Sequence, residues 1–199
     1  AMRALWDLEA AGDAAAPFLE RTLRSVDRQQ RQLAAYVLRR GAQAPSVQLL
    51  EVSVEALRRD VCAELWSTLI HPIAASSTRW LLGHTAAARP QIRRALAFGD
   101  DQQRFLAAYL LAASGHDDDR EAVVRELVHH LRDNQIDGDA VMAAAGLYRL
   151  GPTASRSIAA WRNAVDEQAR SLLDLVARDL AAPPRTDEEL RSRKGMHRT

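Results

Sequence analysis

Aromatic residues make up only 5% of this 199-residue chain, and Cys62 is its single cysteine. One cysteine excludes an intrachain disulfide and leaves no C-x-x-C or zinc-ligand spacing. Cys62 lies in Val61-Cys62-Ala63-Glu64-Leu65-Trp66, a helical context in which it reads as a small core residue. No apolar run approaches the roughly 18 residues of a membrane span, and no basic stretch followed by an apolar one opens the chain. These absences point to a cytoplasmic location. No stretch alternates with period two, so no strands are expected. An excess of one charge is missing as well: 27 basic and 26 acidic residues leave +1, which gives no global pull toward nucleic acid or an anionic membrane. Lys194 is the only lysine, a skew toward arginine that reads first as coding bias. Phosphate-loop, serine-elbow, zinc-protease and EF-hand motifs are all lacking.

What is present is apolar and repetitive. Apolar residues reach 47%, dominated by Ala and Leu, which form helices well and let them approach closely. Asp27-Arg28-Gln29-Gln30-Arg31-Gln32-Leu33-Ala34-Ala35-Tyr36 returns 73 residues later as Asp100-Asp101-Gln102-Gln103-Arg104-Phe105-Leu106-Ala107-Ala108-Tyr109. The match begins at Pro17-x-Leu19 and Pro90-x-Ile92. Other shifts align Ala34-Ala35 with Ala144-Ala145, and Asp27/Arg31 with Asp166/Arg170. Self-similarity of this kind marks a repeat architecture, here with a unit of roughly 30 to 40 residues.

Leu33, Ala34, Val37 and Leu38 form an apolar stripe at helical spacing, repeated by Leu106, Leu110 and Leu111. Asp27 with Gln30, Asp100 with Gln103, and Asp118 with Glu121 fit the capping box; Asp166 opens a further helix without it. Gly12, Gly41, Gly83, Gly115 and Gly151 stand where a left-handed glycine would close a helix. The expected units are a lone helix over 3–11 and five pairs: 14–26 with 28–40, 46–58 with 60–70, 86–98 with 102–114, 119–132 with 138–150, and 153–164 with 167–180. His71-Pro72 should end a helix, and Ser76–Gly83 should add a short extra one. Residues 1–182 form one domain on this reading, and 183–199 a charged tail.

The patterns Pro17/Leu19/Leu23 and Pro90/Ile92/Leu96, each followed by Asp-x-x-x-Arg-x-x-Ala-Ala, resemble the HEAT-repeat family in its short, PBS-lyase-like form. The resemblance covers about residues 3–181 and implies an all-α, right-handed superhelix. It also implies binding of other proteins across a curved surface built by the second helices. Asp would cap each second helix, and Arg four positions on would pair with the neighbouring unit's Asp. Tyr36 and Tyr109 share one repeat position, with Tyr148 close to it, and are expected to pack between units.

A few members of the family are enzymes. Repeated His-Glu dipeptides of the di-iron kind are missing: none of His71, His84, His116, His129, His130 and His197 is followed by Glu. Glu126-Leu127-Val128-His129 is a lone Glu-x-x-His where paired metals need more carboxylates, so His129 and His130 read as surface residues. Nothing supports or excludes a pigment groove. An alkylpurine DNA glycosylase remains the alternative, since Trp6, Trp66, Trp80, Trp161 and many arginines are available, although acidic residues interleave with the basic ones.

The surface opposite the apolar stripe is the candidate site. It runs through Arg28, Gln32, Ala35 and Arg39, then Asp101, Phe105, Ala108 and Ala112, then Met142, Ala145 and Arg149, and finally Glu167, Ser171, Asp174 and Arg178. The expectation is a non-catalytic scaffold in which exposed Phe105 and Met142 anchor a protein or peptide. Arg28, Gln32, Arg39, Arg149 and Arg178 would orient the partner's polar and acidic groups. The C-terminal tail or the short insert would cover the strip otherwise. No cofactor, metal or catalytic residue is expected, and self-association is left open.

Overall fold

In the computed structural model the described residues are 12–41, 44–57, 70–115, 119–131, 138–163, 165 and 167–181. They are helical, with no strand among them. The expected helix 3–11, most of 60–70, Cys62, Trp6, Trp66, Asp118, Asp166 and the tail lie outside them. A 3-10 turn, Gly12–Ala15, leads into α1 (Ala16–Thr22), followed by α2 (Arg28–Leu38), α3 (Val47–Glu55), α4 (Ile70–Gly83) and α5 (Thr85–Phe98). Then come α6 (Asp101–Ser114), α7 (Arg120–Leu131), α8 (Gly138–Arg149), the 3-10 turn Pro152–Ala154, α9 (Ser155–Trp161) and α10 (Glu167–Ala181). No helix among the described residues is long and apolar enough to cross a membrane.

Several helix starts have a local cause. Asp100 accepts from the Gln103 amide at 2.9 Å while the Gln103 side chain accepts from the Asp100 amide at 3.2 Å, which completes the capping box. Asp27 makes only the forward half, accepting from the Gln29 and Gln30 amides. The Gln30 side chain instead accepts from the Ser25 hydroxyl at 2.9 Å. Pro17 occupies the first turn of α1, where no amide donor is needed.

The reading of His71-Pro72 is corrected: the helix described over Ile70–Gly83 continues through this pair instead of ending at it. The short insert expected over 76–83 is therefore the C-terminal half of a full helix. Of the five glycines expected to close helices, Gly115 (φ 66°) and Gly151 (φ 72°) are left-handed, while Gly83 is the last residue of α4. Gly99 is required for a different reason. A Cβ there would lie 2.5 Å from the Ala95 carbonyl oxygen and 2.8 Å from Gln103 Cβ.

Consecutive helices pack together as α1 with α2, α3 with α4, α5 with α6, α7 with α8, and α9 with α10. Each pair also meets the next, through α2 with α4, α3 with α5, α4 with α6, α6 with α8, α7 with α9 and α8 with α10. Helix α6 is the centre of this arrangement, touching α3, α4, α5, α7 and α8. Accordingly Phe105, Leu106, Ala107, Ala108, Leu110, Leu111 and Ala112 are all buried. The core forms two clusters, one under α1–α3 and a larger one from α3 to α10, and Trp80 of α4 packs against both.

Recurring arginines fix the corners within pairs. Arg31 Nη1 donates to the Ser25 and Val26 carbonyls at 2.9 and 3.1 Å. Arg104 Nη1 donates to the Gly99 carbonyl at 3.3 Å. Arg170 donates to the Arg162 and Val165 carbonyls at 3.1 and 3.4 Å. Two of the three also reach the first helix of the next pair. Arg31 Nη2 meets Glu55 Oε1 at 2.6 Å, and Arg104 Nε meets Glu126 Oε1 at 3.3 Å. The cross-unit partner is thus a glutamate, where the family pattern led us to expect the capping aspartate, which is already occupied by amide groups.

Candidate functional site

The strip proposed from the sequence is not a surface along its length. Phe105 has no exposed area, and its ring lies 4.5 Å from that of His130. Ala35, Ala108 and Ala112 are buried to the same degree. The exposed-anchor role of Phe105 is therefore overturned. With five neighbouring helices, α6 also buries the face opposite its apolar stripe, and within Phe105–Ala112 only Tyr109 is not fully buried.

Met142 is partly buried against the larger core cluster, which withdraws it as an exposed anchor too. Arg39 is 8% exposed, with Nη1 donating to Ser53 Oγ at 3.1 Å. Burial lowers its pKa to about 10, with Tyr36 pulling the other way, so it stays charged at neutral pH. Arg39 is consequently a buried tie between α2 and α3, not a contact for a partner. Arg28 is exposed but engaged: its Nη2 donates to the Glu55 carbonyl at 3.2 Å and its Nε lies 3.4 Å from Glu55 Oε1. Gln32 is half-buried, and Arg149 and Arg178 are exposed.

What the second helices do expose is set by the register of the repeat. On α6 the least buried line runs through Gln102, Tyr109 and Ala113; on α2 its equivalent runs through Gln29, Tyr36 and Arg40. Tyr36 and Tyr109 are half-buried, and Tyr148 on α8 is 37% exposed. Arginines lie over two of these rings. Arg149 of α8 stacks 4.8 Å from the centre of the Tyr109 ring on α6, and Arg40 lies 5.9 Å from that of Tyr36 while donating to its hydroxyl at 3.2 Å. Of the predicted residues, only Arg149 joins this arrangement. The signal for it was the shared repeat position of the tyrosines.

Trp80 and Trp161 are packed partly buried against the core, which removes two of the aromatic side chains a base-binding groove would need. One cluster has the donor set for a cation: Asp101, Glu126 and His130 place three ligand atoms within 4.8 Å of one another. His130 Nε2 lies 3.4 Å from Glu126 Oε1 and 3.9 Å from Asp101 Oδ1. Arg104 already supplies the positive charge there, lying 3.1 Å from Asp101 Oδ1 and 3.3 Å from Glu126 Oε1. Burial pushes the Glu126 carboxyl up, but the nearby His130 side chain and the charge of Arg104 outweigh it and hold the group below its ordinary value.

His130 is buried and His129 exposed, so the expectation that both lie on the surface holds for His129 alone. The relevant spacing is Glu126 to His130, one helical turn on a single face. The cluster is an ion-pair latch between α6 and α7. Comparison with family models, with curated proteins and with solved structures finds no match to this chain.

Proposed function

We propose that the chain is a HEAT-type repeat module, a right-handed α–α superhelix of five helical pairs, that binds a protein or peptide partner without catalysis. The binding surface on this reading is the outer line of the second helices α2, α6 and α8. The observation that carries it is the placement of Tyr36, Tyr109 and Tyr148 at the surface of these helices, with Arg40 and Arg149 over two of the rings. Tyrosine and arginine dominate protein-binding hot spots because they offer large apolar area with a polar tip at small entropic cost. Stacked arginines are held in position, so they can meet a carboxylate of the partner without first being ordered. A segment combining apolar and acidic side chains fits this surface.

The pairwise packing supports the repeat reading, because each pair meets the next through their second helices, and the second with the third and the fourth with the fifth through their first helices as well. Affinity capture with the wild type, with Tyr109→Ala/Arg149→Glu, and with the control Phe18→Ser, an exposed residue of α1, tests the proposal. A specific partner should be retained by the wild type and the control and lost with the double variant. Retention by the double variant overturns the assignment of this face. Salt-sensitive binding of labelled duplex DNA would replace the protein partner with the glycosylase alternative.

A further inference from the structure

We infer that the outward face of α5, with the groove beside it, joins two copies of this chain about a two-fold axis. The exposed residues of α5 are Ala86, Ala87, Pro90, Arg93, Arg94, Ala97 and Phe98. A solvent-facing helix normally carries polar residues there, and this one carries mainly small apolar ones ending in a phenylalanine that is 85% exposed. Beside it lies a groove of about 500 Å³ between α3 and α5, with Val54 and Ala95 in its lining and Gln103 of α6 at one end. Glu51 and Arg94 also line it, and neither has an ion pair among the described residues. Their neighbours are engaged: Glu55 by Arg28 and Arg31, and Arg93 by Asp119 at 2.6 Å.

One free carboxylate and one free guanidinium on a single patch are what a self-complementary interface requires. A two-fold rotation sets Glu51 of each copy against Arg94 of the other and brings each Phe98 to the other copy's groove. A partner bearing one sign of charge would leave either Glu51 or Arg94 desolvated and unmatched, which is costly. Ala86, Ala87, Pro90 and Ala97 present little bulk, so two α5 helices can approach closely along this line. The interaction is separate from the tyrosine face and stands or falls without it.

Sedimentation velocity over a dilution series up to about 100 μM, a range suited to a modest interface, tests the inference. The wild type should sediment as a dimer at the upper end and dissociate on dilution. Phe98→Ser should weaken the dimer at least about tenfold, as loss of a central aromatic anchor does, with an unchanged far-ultraviolet spectrum because this side chain is exposed. Glu51→Arg and Arg94→Glu should each give monomers, and Glu51→Arg/Arg94→Glu together should restore the dimer by exchanging the two charges. A wild type that stays monomeric throughout overturns the inference. So does a dimer unaffected by Phe98→Ser, or a pair of charge reversals that does not rescue.

Discussion

Phe105 shows how one side chain changes meaning with its surroundings. Placed opposite an apolar stripe, it reads as an anchor for a partner; enclosed by α6's neighbours, it is part of the core. Phe105→Ala should cost about 3–5 kcal/mol, the range for truncating a buried phenylalanine, and a urea melt measures it. A loss below about 1 kcal/mol would contradict the burial. Beneath that ring sits the latch of Arg104, Glu126 and His130. Because the folded state depresses the Glu126 pKa below its ordinary 4.5, the group adds stability in full above the unfolded value. That contribution is lost as pH falls through the folded value. The midpoint of thermal unfolding should therefore drop in acid for the wild type. It should drop less between pH 4.5 and strong acid in Glu126→Gln, which has no proton to take up at that position.

Among the elements, the arginine corners offer the clearest test. Arg104 makes hydrogen bonds to the Gly99 carbonyl, to Asp101 and to Glu126. Arg104→Met keeps the aliphatic stem but leaves the partly buried Glu126 short of a charged partner, and a loss of about 1.5–3 kcal/mol is expected for bonds to charged groups. Gly115→Ala should cost about 1 kcal/mol, because the left-handed cap at φ 66° suits only glycine well. Most helices were legible in the sequence, since Asp100/Gln103, Pro17 and Gly115 act through neighbours a few residues away. Helix α4 was not, because His71-Pro72 reads locally as a stop whereas the helix described over Ile70–Gly83 runs through it. The site was less legible still. Which line of α6 faces water depends on five helices that no local pattern reveals, although the apolar run from Phe105 to Ala112 already argued for burial on most sides.

For the molecule as a whole, cooperativity depends on how the two core clusters are joined. Trp80 touches both, stacks 4.1 Å from the His84 ring and offers its carbonyl to His84 Nδ1 at 2.8 Å. Helix α3 spans them too, with Leu49 and Val52 in one cluster and Leu50 and Val54 in the other. In arrays where each unit touches only its neighbours, weakening one junction lets the halves melt separately. Trp80→Ala should lower the denaturant m-value and split the transitions followed by helicity and by the remaining tryptophan fluorescence. Coincident transitions with an unchanged m-value would show that α3 alone holds the halves together.

The corner arginines have an evolutionary corollary. They recognise main-chain oxygens, which every residue supplies, so these hydrogen bonds do not themselves choose the side chains at the bend, although close packing still demands glycine at position 99. Val26 is 99% exposed at one such bend. That position is free to drift, or to be randomised in a library, while the scaffold beneath it keeps its shape. New specificities can be written at this corner without renegotiating the interior.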